Sequence, residues 1–224
     1  MKNILNNVNT WLIDLDNTVY SAQTNLFLKI HKRMKSFIAS HLKISENEAF
    51  LLQKKYYLKY GTTLRGLMKN HNINPSLYLD YVHDINISKL ASDPLLAKGL
   101  NKIDGKKIIF TNSSSGHANR ILKQLGIHEQ IDTVFDICAA GYIPKPSHTP
   151  YNKLILKYKI IPKNTIMIDD IPKNLETAKK LGIKTIWVSS ENDQDKKTIN
   201  FTNQYPYIDL KINDLTSFIT SINP

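Results

Sequence analysis

Short apolar runs that end in polar residues alternate with longer stretches of helical periodicity along most of this chain. Residues 10–15 (TWLIDL) end in carboxylates, and after residue 105 the same pattern recurs in KIIF, FDIC, TIMI, TIWV and YIDLKI. Such runs are typical of parallel strands, which are buried on both faces. Helical patterns separate the later runs, so the second half of the chain predicts a series of βαβ units.

Glycine and proline mark the ends and starts of these predicted helices. Gly126 and Gly182 each follow a helical pattern, where a residue in the left-handed conformation turns the chain into the next strand. Pro172 suits the first turn of a helix, and Ser115 is expected to cap the helix after IIFTNSSS. Right-handed crossovers then predict a parallel sheet with helices on both faces and a ligand site at the carboxyl ends of the strands.

Between the first and second predicted strands the pattern is helical throughout. One apolar stripe recurs every fourth residue, at Leu26, Ile30, Met34, Ile38 and Leu42. Ser45 and Glu48 form a capping box that begins a second helix, and three more helices are expected over residues 62–70, 75–82 and 95–101. The predicted fold class is therefore α/β: a Rossmann-like, doubly wound parallel sheet from residues 1–19 and 103–224, interrupted by a helical domain of residues 20–102.

Composition narrows the class of protein. Apolar residues make up 42% and charged residues 22% of the chain, which is typical of a globular protein and excludes a disordered one. The net charge is +11, but the lysines are spread along the chain without an arginine-rich stripe, which favours a solvated surface over nucleic-acid binding. Cys138 is the only cysteine, which rules out a disulfide within the chain. With no signal peptide and no apolar run near ~18 residues, we expect a cytoplasmic protein without membrane contact.

Polar residues that suit phosphoryl chemistry follow four of the predicted strands. In DLDNT, Asp14 and Asp16 alternate around Leu15 and can face one cleft, as a nucleophile and an acid/base require. Thr111 and Asn112 end the second strand, where hydroxyl and amide groups hold phosphoryl oxygens. Lys145 lies between two prolines and can offset negative charge. The adjacent acids Asp169 and Asp170 suit a hard cation such as Mg²⁺.

This ordered set of four motifs resembles the haloacid dehalogenase (HAD) superfamily over nearly the whole chain. The resemblance implies that Asp14 is the nucleophile and a metal ligand, and that Asp16 is the acid/base and a metal ligand through its carbonyl. It further implies that Thr111 binds the phosphoryl group, Lys145 stabilises it, Asp170 ligates Mg²⁺ directly and Asp169 does so through water. Thr18 and Asn112 would help to hold the substrate, and the helical insertion would be a C1-type cap.

A closer similarity is to the pyrimidine 5′-nucleotidase branch, on the phrases DLDNTVY, YYLKYGTTLRGLM, YVHDI and IDDIPKNL. This resemblance implies that the substrate is a pyrimidine nucleoside 5′-monophosphate and that Tyr60, Gly61, Arg65 and His83 of the cap lie over it. The remaining histidines, among them His31, His71 and His117, lack metal-ligand spacing and are interpreted as structural or exposed.

Other functions stay open from the residues alone. A phosphatase or mutase for a sugar phosphate or another small metabolite would share the same core, since the cap sets specificity. A dehalogenase has little use for Asp16 or the metal site, because halide departure needs no proton. A non-catalytic binding protein would not need all four catalytic positions. The polar segment 191–205 receives no functional interpretation.

Overall fold

The computed structural model describes residues 2–189 and 205–222, and within them a six-stranded sheet forms the centre of the fold. The strands are parallel and lie in the order β3-β2-β1-β4-β5-β6. Their bounds are β1 Thr10–Ile13, β2 Lys106–Phe110, β3 Thr133–Phe135, β4 Thr165–Asp169, β5 Lys184–Val188 and β6 Leu210–Ile212. The predicted fold class, an α/β doubly wound sheet, is confirmed.

Ten α-helices occur in the described part of the chain. Their bounds are α1 Lys2–Leu5, α2 Leu26–Leu42, α3 Glu46–Tyr60, α4 Thr63–His71, α5 Pro75–His83, α6 Pro94–Lys102, α7 Ser115–Leu125, α8 His148–Tyr158, α9 Pro172–Lys180 and α10 Leu215–Ile222. Helices α2 to α5 all lie between β1 and β2 in sequence, as the periodicity predicts. Among the described residues, no helix combines the length and apolar character that crossing a bilayer requires.

Alternating strand residues divide the core of the sheet domain into two layers. Ile13, Ile109 and Ile168 pack on the face covered by α6, α7 and α10. Leu12, Ile108 and Met167 point to the opposite face, which α8 and α9 cover. The period of two in a strand explains this division, and it leaves the carboxyl ends of β1, β2 and β4 open to other groups.

Helices α2 to α5 pack on one another more than on the sheet. Helix α2 packs against α3 and α5, and α3 packs against α4. The predicted capping box is present at α3, where Ser45 and Glu48 exchange hydrogen bonds. Gly61 ends α3 with φ +84° and lies against Pro144, so the turn between α3 and α4 touches the loop that carries Lys145.

Three local predictions are wrong. FDIC is not a strand beyond Phe135, because the Asp136 carboxylate accepts hydrogen bonds from the backbone N–H groups of Ser115 and Ala139 and stabilises a turn. YIDLKI becomes a strand only from Leu210 onward. Ser114, and not Ser115, caps α7, because its hydroxyl accepts from the backbone N–H of the third helical residue. The segment 191–205 lies almost entirely outside the described residues.

Candidate active site

Three carboxylates meet where the strand order reverses between β1 and β4. The N–H of Asp14 donates to the carbonyl of Ile168 (2.9 Å), which keeps the chain beside β4 for one residue beyond β1. Asp169 ends β4 and Asp170 follows it. Asp14, Asp169 and Asp170, here called the acid cluster, each offer a carboxylate oxygen within 4.8 Å of the others. This switch point is the usual ligand position in doubly wound sheets.

Lys145 joins two members of the acid cluster. Its Nζ donates to Asp14 Oδ1, Asp169 Oδ2 and the carbonyl of Phe110, each at 2.7 Å. Burial alone would lower the pKa of Lys145, but the charges of Asp14 and Asp169 raise it above its ordinary value, so the ammonium keeps its proton. Asn112 holds the lysine backbone from both sides, accepting from Lys145 N–H at 2.9 Å and donating to its carbonyl at 3.3 Å.

The acid cluster carries more negative charge than Lys145 can balance. Burial, with the charges of Asp169 and Asp16, raises the pKa of Asp14 to about 7 although Lys145 acts in the opposite direction. Burial, with the charges of Asp14 and Asp169, raises the pKa of Asp170 to about 8. An all-oxygen donor set with excess negative charge fits a hard divalent cation.

The hydrogen bonds of Asp169 distinguish it from the other two acids. Its oxygens already accept from Ile171 N–H (2.8 Å), from Asn174 Nδ2 (2.9 and 3.0 Å) and from Lys145. Among the described residues only Lys145 donates to the side chain of Asp14. Asp14 and Asp170 are therefore freer to ligate a cation than Asp169, which is consistent with an indirect role for Asp169.

Asp16 and Asp14 line one cavity, but their electrostatic environments differ. Tyr20 Oη (2.5 Å) and His117 Nε2 (3.2 Å) contact its Oδ1, and Ser113 Oγ donates to its Oδ2 at 2.6 Å. Burial would raise the pKa of Asp16, but the hydrogen bonds and the charge interaction with His117 lower it to about 2. Asp16 is thus a carboxylate in this state, held by three side chains that sequence reasoning missed.

The turn after Asp14 explains how both acids reach one cavity. The carbonyl of Leu15 accepts hydrogen bonds from Thr18 and Val19, and Asn17 has a left-handed backbone with φ +60°. Thr111 lies on the same floor and orders the next loop, because its Oγ1 accepts from Ser113 N–H at 2.9 Å. Thr18 is buried and lines a second cavity, which shares Asn17 and Asp170 with the cavity that contains Asp14. Thr18 is not among the residues that line the cavity of Asp14.

A cavity of about 340 Å³ extends from this floor toward the helical insertion. Its walls are largely apolar and aromatic, and they come from α2, α3 and α5: Phe27, Ile30, Met34, Phe50, Tyr57, Tyr78, Leu79 and Val82. The polar side chains near them are those of His31, Gln53, Lys54, Thr62, Thr63 and His83. Such a shape, apolar with a few polar groups at one end, is typical of a small-molecule site.

The predicted cap residues separate into two places. His83 lines the cavity that contains Asp14, whereas Tyr60 and Arg65 line a neighbouring open groove of about 530 Å³. Lys59, Lys69 and Lys173 also line this groove, here called the cationic groove, and no acidic side chain is among its described lining residues. The groove and the cavity share six lining residues: Tyr57, Gly61, Asn112, Lys145, Ile171 and Asn174. Arg65 therefore lines the groove beside the cavity and is not among the residues that line the cavity itself.

A family model and a curated relative match most of this chain. The family model for haloacid dehalogenase-like hydrolases matches residues 8–182. Phosphate metabolism protein 8 of Saccharomyces cerevisiae is 28% identical over 190 residues, which cover 77% of this chain and 59% of the yeast protein.

Solved structures show the same fold. A HAD phosphatase from Thermococcus onnurineus matches with a TM-score of 0.60 and 16% identity, over 96% of this chain and 98% of that one. The magnesium-bound HAD-hydrolase YfnB of Bacillus subtilis matches with a TM-score of 0.61 and 15% identity, over 97% and 99%. The L-2-haloacid dehalogenase of Xanthobacter autotrophicus matches with a TM-score of 0.58 and 12% identity, over 96% and 98%.

Proposed function

Because the chain belongs to the haloacid dehalogenase-like hydrolases, we propose that it hydrolyses small phosphate monoesters with Mg²⁺ through an aspartyl-phosphate on Asp14. The observation that carries the proposal is that two aspartates, Asp14 and Asp16, line one cavity in contrasting electrostatic environments. Lys145, Asp169 and Asp170 surround Asp14, while three hydrogen-bonding side chains hold Asp16. Paired groups in contrasting environments suit a nucleophile and a proton carrier.

In the proposed first step, a carboxylate oxygen of Asp14 attacks phosphorus as the bond from phosphorus to the leaving oxygen breaks. Asp16 gives that oxygen its proton. The Asp16 carboxylate takes this proton from solvent as the substrate binds, since a phosphate dianion beside Asp16 raises its pKa. In the second step Asp16 removes a proton from water, the water oxygen bonds to phosphorus, and the bond from phosphorus to Asp14 breaks.

The chain's own charges support the nucleophile during both steps. The ammonium of Lys145, 2.7 Å from Asp14 Oδ1, offsets negative charge on the carboxylate and the transferring phosphoryl group. Thr111 at the end of β2 is proposed to contact a phosphoryl oxygen. A bound Mg²⁺, held by Asp14, Asp170 and the carbonyl of Asp16 with Asp169 behind them, would supply further neutralisation of phosphoryl oxygens.

The proposed substrate is a pyrimidine nucleoside 5′-monophosphate. Within the predicted insertion of residues 20–102, helices α2 to α5 would act as the cap, since α6 packs on the sheet. The phrases shared with the pyrimidine 5′-nucleotidase branch support this substrate, and so do the aromatic and apolar walls of the cavity, which can hold a planar base. A sugar phosphate is the second candidate, because polar side chains at the cavity wall, among them His31, Gln53 and Lys54, could bind its hydroxyl groups. The extent of the aromatic and apolar wall favours the base. The name of the yeast relative refers to phosphate metabolism, which agrees with either substrate.

Dehalogenation is the less favoured reaction although a dehalogenase shares the fold. Departure of a halide needs no proton, and it would leave the three donors that hold Asp16 without a purpose. The proposed substrate is therefore a small phosphorylated metabolite and not a haloacid. We propose neither a nucleic acid nor a membrane as a partner.

The test is phosphate release from UMP, CMP and a panel of sugar phosphates, with Mg²⁺ and with EDTA. Metal-dependent release that favours UMP or CMP supports the proposal, and release that favours a sugar phosphate replaces the substrate but keeps the chemistry. Asp14→Asn should abolish turnover, while Asp80→Asn on the exposed face of α5 should not. No release from any ester by the unmodified protein would favour a non-catalytic role.

A further inference from the structure

His117 occupies the first turn of α7 and is 1% exposed. Its Nε2 lies 3.2 Å from Asp16 Oδ1, and its Nδ1 is buried without a hydrogen-bond partner among the described residues. Because a carboxylate can only accept a hydrogen bond, Nε2 carries a proton in either protonation state of the ring. A buried nitrogen left unpaired costs free energy, so a purely packing role would be served better by an apolar ring.

The three donors to Asp16 differ in how firmly they are held. Tyr20 and Ser113 follow strand ends in loops, and each donates through a hydroxyl that can rotate. His117 donates from a helix through a planar ring whose direction is set by its packing. Since the two hydroxyls already give each oxygen of Asp16 a hydrogen bond, the imidazole is not needed to satisfy the carboxylate. The imidazole instead adds a hydrogen bond whose direction is fixed, and this bond can orient the Asp16 carboxylate.

The ring of His117 is itself held by the end of α5. His83 stacks on it with ring centroids 4.5 Å apart and an angle of 13° between the planes. Ser114 Oγ, which accepts from His117 N–H, lies 2.9 Å from His83 Nδ1. Arg120, one turn further along α7, donates to the carbonyls of His83 (2.9 Å) and Ile85 (2.7 Å). These contacts attach the end of α5 to α7 at the stacked pair.

We propose that His117 is a positioning residue, which holds the Asp16 carboxyl toward the leaving oxygen of the substrate, and that His83 keeps the His117 ring in place. The inference rests on the proposed phosphatase function. Its consequence is specific to proton transfer. When the bond from phosphorus to the leaving oxygen breaks, an alkoxide must take the proton of Asp16, whereas a nitrophenolate is stable without it. Loss of His117 should therefore harm alkyl phosphates more than aryl phosphates.

The experiment compares His117→Gln with His117→Asn. Both replace the ring by an amide, but only glutamine is long enough to place a donor near the position of Nε2. The readout is kcat/KM for UMP and for p-nitrophenyl phosphate, because kcat/KM covers the steps up to the aspartyl-phosphate and leaves out its hydrolysis. His41→Gln, at an exposed histidine on α2, is the matched control.

We expect His117→Asn to lower kcat/KM for UMP by about 10- to 100-fold, the effect of losing a hydrogen bond to a charged group. For p-nitrophenyl phosphate the loss should stay within about threefold, and His117→Gln should recover most of the activity toward UMP. Equal losses on both substrates, or equal activity of the two variants, would overturn the positioning role.

Two further readouts keep the inference testable. Should His117→Asn fail to fold, as judged by circular dichroism, His83→Leu removes the stacked ring and should shift the ratio of the two kcat/KM values in the same direction. An unchanged ratio in His83→Leu would refute the role of His83. If the unmodified protein releases phosphate from neither ester, the proposed function fails and this inference fails with it.

Discussion

Replacement of Lys145 by methionine should both destabilise the fold and stop catalysis. Lys145 is 2% exposed, and its three hydrogen bonds of 2.7 Å tie together β1, the end of β2 and β4. Methionine has a similar length and no charge, so Lys145→Met removes the ammonium without opening a large cavity. It leaves the acid cluster without its only hydrogen-bonded cation among the described residues.

The magnitude follows from the burial of the pair. Removing one partner of a buried ion pair costs about 3–5 kcal/mol of unfolding free energy, because the other charge stays desolvated. Burial and neighbouring acids already raise the pKa of Asp14, so without Lys145 the folded state holds its protons more tightly than the unfolded chain. Stability then falls as pH rises from about 4 upward, and the loss should be larger at about pH 8 than at about pH 6. We expect kcat to fall by at least about 10²-fold.

Urea denaturation in EDTA, followed by circular dichroism, measures the unfolding free energy of the wild type, Lys145→Met, Asp14→Asn and the double variant. Since Asp14 and Lys145 are in contact, the double variant should lose less stability than the sum of the two single variants. A loss below about 1 kcal/mol for Lys145→Met, or additive losses in the cycle, would refute this view of the ion pair.

Three other perturbations test separate parts of the molecule. Mg²⁺ should raise the melting temperature more at about pH 8 than at about pH 6. Asp14 and Asp170 have pKa values of about 7 and about 8, so at the lower pH the cation must displace protons from them. The opposite trend would contradict the electrostatics of the acid cluster. Arg65→Gln should lower kcat/KM for phosphate esters about tenfold. Lys55→Gln, which removes the same charge, should leave kcat/KM unchanged, and equal losses would argue against an anion-binding role for the cationic groove. Gly66→Ala should cost about 1–3 kcal/mol of unfolding free energy in urea denaturation, because its Cβ would clash with the ring of Tyr56. In Gly116→Ala the new Cβ meets no described residue within 4 Å, so this variant should keep its stability, and similar costs for the two variants would contradict the packing.

The sheet and most helices could be predicted because their signals are local. The buried strands β1 and β4 are continuous apolar runs that end in acids, and the capping box of α3 lies within four residues of sequence. The strand prediction for FDIC was wrong for a physical reason. Its residue types suit a strand, but the Asp136 carboxylate accepts hydrogen bonds from two nearby backbone N–H groups. These bonds stabilise a turn in place of further strand pairing.

Some residues of the candidate site could likewise be predicted from sequence, and others could not. Asp14, Lys145 and Asp170 follow strands or strand-end loops, so the parallel topology brings them together without further information. His117 had no such signal, because its partner Asp16 is 101 residues away and no spacing connects them. Arg65 shows the same limit, since sequence places it on a cap helix but not in the groove beside the cavity.

The measurement that tests the central claim most directly is chemical trapping of the aspartyl-phosphate. Asp16→Asn keeps the nucleophile but removes the base for its hydrolysis, and p-nitrophenyl phosphate needs no acid for its first step. After rapid mixing with Mg²⁺, acid quench and borohydride reduction, mass spectrometry should find homoserine at position 14, and none in Asp16→Asn/Asp14→Asn. Homoserine at another position, or one equivalent of nitrophenol released with no reduced residue, would contradict Asp14 as the nucleophile.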